Sequence, residues 1–231
     1  AMTQLDLYTP DTRRGAEADV NAPLAELLRP KDLSKVVGQE ALLGPQGRLR
    51  RMLDGGELAS IIFWGPPGTG KTTIASLLAA EAGMEFEPIS AVFDGVADLR
   101  KVFERAGKRR AAGARTLLFV DEVHRFNKAQ QDGLLPRVED GTVTLIGATT
   151  ENPSFALNGA LLSRAQVMLV ERLSPEALEA LLQRVEAHTG ASLPLDGEAR
   201  AALKAMADGD GRYLLNMASS LAGLEKQAPL D

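Results

Sequence analysis

The sequence predicts an α/β fold: a five-stranded parallel sheet carrying a phosphate-binding loop, followed by a small all-helical part. Three observations predict it. Apolar strand-like runs at 61–64, 85–89, 117–121, 143–146 and 166–170 alternate with helical patterns, which implies a parallel sheet covered on both faces. The first of these runs leads directly into Gly65-Pro-Pro-Gly-Thr-Gly-Lys-Thr72. After Leu173 the strand-like runs stop and only helical patterns follow.

Taken in order, residues 1–22 mix Asp, Glu, Arg, Thr and Pro without periodicity and read as a flexible tail. Residues 23–173 are expected to form the sheet domain, opening with a short helical pattern and the stretch Arg29-Pro-Lys-Asp-Leu-Ser-Lys-Val-Val-Gly-Gln39. The glycines of the 65–72 loop let backbone N–H groups point inward and wrap phosphates, and the helix expected over 72–82 adds the positive end of its dipole. Lys71 can reach the β- and γ-phosphates and the Thr72 hydroxyl can ligate Mg²⁺. The expected ATP contacts are therefore Gly65, Pro66, Pro67, Gly68, Thr69, Gly70, Lys71, Thr72 and Thr73. A glycine-rich turn without nucleotide is the plainer reading, but the strand before, the helix after and a second motif oppose it.

That second motif is Thr116-Leu-Leu-Phe-Val-Asp-Glu122. An apolar strand ending in two adjacent carboxylates suits a metal site, because the pair would repel without a cation. Asp121 is placed to hold the Mg²⁺ shell and Glu122 to orient or polarise a water. His124 completes Asp-Glu-Val-His and invites a helicase reading. Such helicases carry two nucleotide-binding lobes, and only one fits in 231 residues. His124 is expected to start the next helix and pack near the site.

From residue 174 to 231 a helical lid is expected. Ser174-Pro175-Glu176 is a helix start with Ser as N-cap and Pro in the first turn, and Gly190 is a suitable stop. Further helices fit 196–207 and 212–226.

Composition narrows the remaining classes. The chain has no cysteine, which excludes disulfides and thiolate metal sites and fits a reducing compartment. No apolar run reaches the roughly 18 residues of a membrane span. A net charge of −5 argues against a broadly basic nucleic-acid coat. One local exception exists: Arg100 to Arg115 holds seven basic residues and one acidic residue, Glu104. On a helix this makes a positive stripe able to contact DNA phosphates, or merely a solvated face. Aromatic content of 4% argues against base stacking as the main binding mode.

Three more features resemble the AAA+ ATPases. Thr149-Thr150 follows the fourth strand, where that family keeps a polar sensor, here assigned to Thr150. Leu161-Leu-Ser-Arg164 resembles the Ser-Arg box whose arginine finger, here Arg164, serves a neighbouring subunit. Gly209-Asp-Gly-Arg212 resembles the second sensor, an arginine on the lid that touches the γ-phosphate, here Arg212. The resemblance narrows further. His124-Arg-Phe-Asn-Lys-Ala-Gln-Gln131, the stretch from Glu139 to Phe155, and Ile89-Ser-Ala91 are similar to the RarA/MgsA family, bacterial relatives of the Werner-helicase-interacting protein. The likeness covers roughly residues 22–217. Tyr213 and Leu214 depart from it, standing where Arg and Ala are commoner.

The resemblance implies adenine beside Val37 and Gly38, with ATP and Mg²⁺ as cofactors. It also implies a clamp-loader-like, DNA-dependent ATPase acting at stalled or gapped replication forks in the cytoplasm, at the nucleoid. Homo-oligomers would form through a C-terminal domain expected to be missing here, which would leave this chain largely monomeric and a weak ATPase. Single-strand binding protein is an implied partner. An adaptor whose ATP hydrolysis only times its release is the competing class. Branch-migration motors of the RuvB type share several motifs, but 231 residues leave no room for their winged DNA-binding domain. Lastly, Gln4-Leu-Asp-Leu-Tyr8 resembles the short peptide with which bacterial replication proteins dock on the sliding clamp, with Tyr in place of the usual Phe.

Overall fold

The computed structural model describes residues 22–222. The Gln4–Tyr8 peptide and the end of the last expected helix lie outside the described residues. Five strands form one sheet: β1 (Ile61–Trp64), β2 (Met84–Ser90), β3 (Arg115–Asp121), β4 (Thr144–Thr149) and β5 (Gln166–Leu169). The order is β2-β3-β4-β1-β5, parallel throughout. Six helices of eleven residues or more accompany it: α1 (Lys71–Glu81), α2 (Val96–Ala111), α3 (Lys128–Glu139), α4 (Pro175–Thr189), α5 (Gly197–Ala207) and α6 (Gly211–Ala222).

Strand periodicity divides the apolar residues between two layers. Ile61, Phe63, Leu117, Phe119, Ile146 and Ala148 face one cluster, shared with Ile74, Leu77 and Leu78 of α1. Ile62, Leu118, Val120 and Leu145 face the other, shared with Leu99 and Val102 of α2 and Leu134 of α3. Because both faces are covered there, the interior strands β1, β3 and β4 read as near-continuous apolar runs rather than alternating ones. Pro88 lies in β2, an edge strand of the sheet, where a missing backbone donor is tolerated.

Two strands are longer than their apolar runs suggest. β3 starts at Arg115 because Met84 and Glu85 of β2 pair with Arg115 and Thr116. β4 continues through Gly147-Ala148-Thr149, poor strand formers in isolation. It does so because β1 pairs with it from Ile61↔Ile146 to Trp64↔Thr149. Gly147 is required there: a Cβ would meet Ile62 Cδ1 at 2.9 Å and Val123 Cγ1 at 3.1 Å.

Helices α4, α5 and α6 bury a third cluster, including Leu178, Leu182, Val185, Leu203, Leu214 and Ala218. Leu214 is thus a core residue, which accounts for its apolar character. Ser174 caps α4, accepting from the Ala177 N–H at 3.2 Å, and Gly190 ends it at φ +70°. Asp196 caps α5 through the Ala199 N–H at 2.8 Å. Leu24, Ala25, Leu28 and Val37 pack against this cluster, so the segment before β1 bridges the sheet and the helical part.

Ion pairs fasten several surfaces. The basic stripe on α2 is mostly neutralised. Arg105 and Arg109 both donate to Glu87 of β2, a carboxylate only 8% exposed. Lys101 pairs with Asp98 and Arg110 with Asp140, while Arg115 donates to the Ala82 carbonyl. Burial alone would raise the Glu87 pKa, but the hydrogen bonds from the two arginines outweigh it and the net shift is downward.

In the helical part, Glu179 of α4 receives Arg200 at 2.8 Å and Lys204 at 2.8 Å from α5. The hydrogen bonds from Arg200 and Lys204 hold its carboxyl down at about 2, against an ordinary 4.5. A depressed carboxyl stabilises the fold above its unfolded pKa, and that contribution is lost as pH falls through the folded value. Glu179→Gln should therefore cost about 1–2 kcal/mol at pH 7, the charge-assisted bonds being discounted for their partial exposure. The gap to wild type should close between pH 4.5 and pH 2, as read from unfolding midpoints in denaturant at each pH.

Candidate nucleotide site

The site begins at the C-terminal end of β1. Because β1 lies between β4 and β5, the loop that leaves it is flanked by two strand ends. The Gly65 N–H donates to the Thr149 carbonyl at 3.1 Å, and the Val170 N–H to the Trp64 carbonyl at 2.7 Å. A Cβ on Gly65 would run into the Val170 carbonyl oxygen, so only glycine lets the loop leave the sheet there. Gly68 and Gly70 take φ of +67° and +93°, the left-handed region that glycine enters without strain. Among the described residues no side chain caps the first turn of α1. Its N–H groups face the cleft, which suits a polyanion.

The cleft is lined by Arg29, Pro67 through Thr73, Asp121, Glu122 and Arg212. Lys71 is 7% exposed, and its ammonium donates to the Gly65 and Pro66 carbonyls at 2.8 and 2.6 Å. Burial pulls its pKa below the usual lysine value, opposed by the nearby Glu122 and Asp121 carboxylates. The donor set fits a Mg²⁺–nucleotide. There is a glycine loop in which a Cβ at Gly65 or Gly68 would clash, a buried ammonium inside it, a hydroxyl at Thr72 and a carboxylate at Asp121. Among the described residues no cluster of three or more metal-ligating side chains exists. Mg²⁺ would rest on Thr72, Asp121 and the phosphates themselves.

Glu122 adopts φ +53°, unusual for a residue with a side chain, and heads the turn Val123–Arg125. Its Oε2 lies 3.5 Å from the Thr150 hydroxyl and 3.3 Å from His124 Nε2. Thr150 itself is exposed, whereas Thr149 is fully buried at the end of β4. His124 forms part of a short 3₁₀ turn rather than opening α3, which is capped by Asn127.

Not every expected residue reaches the cleft. Val37 and Gly38 lie outside its lining: Val37 joins the helical-part cluster, and Gly38, at φ +75°, packs against Leu173 and Ala177. Arg164 follows the short helix Gly159–Leu162, where it pairs with Glu139 and donates to the Ala160 carbonyl at 2.8 Å. It does not line the cleft of its own chain.

Three residues at the site escaped the sequence reading. Arg29 lines the cleft at the head of the segment before β1. Asp210 caps α6 through the Tyr213 N–H at 2.9 Å and lies against Gly68. An Asp two residues before Arg212 is an N-cap signal that could have moved the helix start back. Gln39 is 4% exposed: its amide donates to the Glu171 carbonyl at 2.8 Å, and its oxygen accepts from the Glu171 N–H at 3.2 Å. No local pattern announces a partner 132 positions away. The Gly211 N–H donates to the Gly68 carbonyl at 3.0 Å, so the loop also touches the helical part directly.

Comparison with known proteins identifies the class. The family model described as "ATPase family associated with various cellular activities (AAA)" matches residues 61–173. Replication-associated recombination protein A of Escherichia coli K12 is 49% identical over 207 residues, 87% of this chain and 46% of that protein. The protein named ATPase WRNIP1 of Dictyostelium discoideum is 46% identical over 200 residues, 85% of this chain and 23% of that protein. The solved Thermotoga maritima RuvB Holliday junction branch migration motor superposes with a TM-score of 0.66 at 26% identity, covering 83% of this chain and 64% of that one. The fold is thus that of an AAA+ ATPase. The chain belongs to the RarA/MgsA family. It spans about half the length of the bacterial relatives it matches.

Gln39→Leu removes both bonds to Glu171 while keeping most of the volume. The Glu171 N–H and carbonyl, part-buried where they meet Gln39, then lose these partners, at a cost of about 1 kcal/mol. The variant should melt several degrees below wild type, as followed by circular dichroism.

Proposed function

We propose that this chain binds ATP–Mg²⁺ in the cleft between the Gly65–Thr72 loop and α6 and supplies most of the machinery to hydrolyse it. The observation that carries this is convergence. Lys71 and Thr72, Asp121 and Glu122, and Arg212 come from three separate segments and line one cleft. In this reading the loop N–H groups and Lys71 hold the phosphates. Thr72 and Asp121 hold Mg²⁺, which neutralises phosphate charge when bound. Glu122 orients the attacking water, Thr150 assists it, and Arg212 reports the γ-phosphate to the helical part. Residues 23–173 and 174–231 form the two domains of this unit, and adenine enters beside Val37 and Gly38 as the helical part adjusts.

Arg164 acts on a neighbour's nucleotide. Its absence from its own cleft supports this, and a head-to-tail contact between copies would deliver it. The family names point to replication-associated recombination, and we assign the assembled protein a DNA-dependent ATPase role at stalled or gapped forks. A second reading, an ATP-timed adaptor, is favoured by one feature. The positive stripe of α2 is largely spent on Glu87, Asp98 and Asp140. DNA contact from that helix would fall to Arg100 and Lys108. Turnover that rises with forked or gapped DNA, with strand separation, selects the first reading; partner binding without either selects the second.

Lys71→Ala should weaken ATP binding at least about tenfold, the loss of a charged contact of about 1.5–3 kcal/mol. Glu122→Gln should retain binding and stall hydrolysis. Calorimetry paired with phosphate release checks both, and wild-type values in both variants would refute the assignment.

In the assembled protein, Arg164→Ala should lower turnover by about 10³-fold or more, the range for an arginine finger. Mixing Arg164→Ala with Lys71→Ala subunits should recover part of the activity through mixed interfaces. No recovery at any ratio would count against action in trans.

A further inference from the structure

The turn after β3 carries a side chain that the assignments above leave unused. His124 is enclosed, its side chain 3% exposed. A buried imidazole in a soluble core commonly meets one polar partner. This one meets three, and two of them are carboxylates: Nδ1 lies 2.9 Å from Thr149 Oγ1, while Nε2 lies 3.3 Å from Glu122 Oε2 and 3.4 Å from Glu151 Oε1.

The surrounding bonds favour one placement of the ring hydrogen. Thr149 Oγ1 accepts the Glu151 N–H at 3.0 Å. Its own hydrogen has two acceptors in range, His124 Nδ1 at 2.9 Å and the Glu151 carbonyl at 3.3 Å, and the shorter is the ring. With Nδ1 accepting, a neutral imidazole carries its hydrogen on Nε2, the nitrogen that faces Glu122. Ionised carboxylates accept such bonds, so the directions are consistent from Thr149 to Glu122.

The backbone supports the same arrangement. Glu122 at φ +53° starts the tight Val123–Arg125 turn, and the Arg125 N–H closes it on the Glu122 carbonyl at 2.8 Å. Val123 packs where Gly147 of β4 leaves space for it. This turn brings His124 back under Glu122 and against the end of β4. The Thr150 hydroxyl, at 3.5 Å, is a longer and more exposed contact to the same oxygen.

We propose that His124 is the positioning residue of the hydrolytic site: its Nε2–H, held in that tautomer by Thr149, aims the Glu122 carboxylate at the attacking water. The inference rests on the assignment of Glu122 as the group that orients that water. A carboxylate at the edge of an open cleft can take several rotamers, and fixing one concentrates it in the productive geometry. Glu151 competes for the same hydrogen. Glu151 opens the segment that leads to Phe155, which is 91% exposed. A contact made there would reach Glu122 through a single imidazole.

The test uses the full-length protein, in single-turnover hydrolysis with protein in excess over ATP. Nucleotide affinity and thermal unfolding are measured on the same samples. His124→Phe keeps the volume and removes the hydrogen bonds; His124→Gln returns a donor to about the position of Nε2. His124→Phe should bind ATP within about twofold of wild type and hydrolyse it at least about tenfold more slowly, with His124→Gln recovering part of the rate. Thr149→Val, which frees the tautomer without touching Glu122, should slow hydrolysis in the same direction with affinity unchanged. Wild-type rates in His124→Phe and Thr149→Val would overturn the proposal. So would an equal rate loss in Phe and Gln variants accompanied by weakened ATP binding, the signature of packing alone. Should His124→Phe not fold, Thr149→Val and His124→Gln decide by the same criteria. Glu122→Gln separates the two levels of inference. If it hydrolyses at the wild-type rate, the assignment of Glu122 falls and this proposal with it. If it stalls while His124→Phe does not, the proposal falls alone.

Discussion

The structure depends on close backbone approach around the loop that follows β1. At Gly65 the loop leaves the sheet against the Val170 carbonyl, and at Gly68 it meets Asp210 and the Gly211 N–H of the helical part. A side chain at either glycine would separate elements that must touch. Through these contacts the sheet, the segment before it and the three-helix part converge on the same eight residues. Gln39 completes the arrangement by hydrogen-bonding to both backbone groups of Glu171, the residue that leads from β5 toward α4. The loop is thus a junction as well as a phosphate cradle.

This geometry links ligand and fold mechanically. Lys71 donates to carbonyls of its own loop, so phosphate binding would exchange those partners for phosphate oxygens. Any change in the loop peptide around Gly68 acts directly on Gly211, and hence on the axis of α6, which carries Arg212. The helical part has its own core and its own part-buried ion network of Glu179, Glu186, Arg200 and Lys204, so its internal packing does not depend on the sheet.

Electrostatics is arranged for local purposes rather than as one field. The positive stripe of α2, conspicuous in one dimension, folds onto β2, where Arg105 and Arg109 neutralise a nearly buried Glu87. Linear charge counts cannot anticipate this, because the acidic partner lies 18 and 22 positions upstream on another element. Among the described residues no arginine forms an ion pair with the carboxylates at the end of β3. They face Lys71, whose burial and charge make the cleft a place for a cation and a polyanion together.

Much of the fold was legible in the sequence. All five strands were: the interior strands β1, β3 and β4 are covered on both faces and nearly apolar throughout, and the edge strands β2 and β5 still carry apolar residues between polar connections. The phosphate loop, Asp121 and Glu122 were legible because each needs particular residue types at a fixed local spacing. Ser174 and Gly190 were legible because caps act within one turn. Tertiary structure alone decided the rest. It extended β4 through Gly147 and Thr149, buried Leu214 and joined Gln39 to Glu171. It also placed His124 between Thr149, Glu122 and Glu151. Backbone propensity, capping and loop chemistry are short-range and leave a local signature. Pairing across a sheet, burial of a charge and the partner of an imidazole depend on residues distant in the chain, and they exist only once the strands are in register.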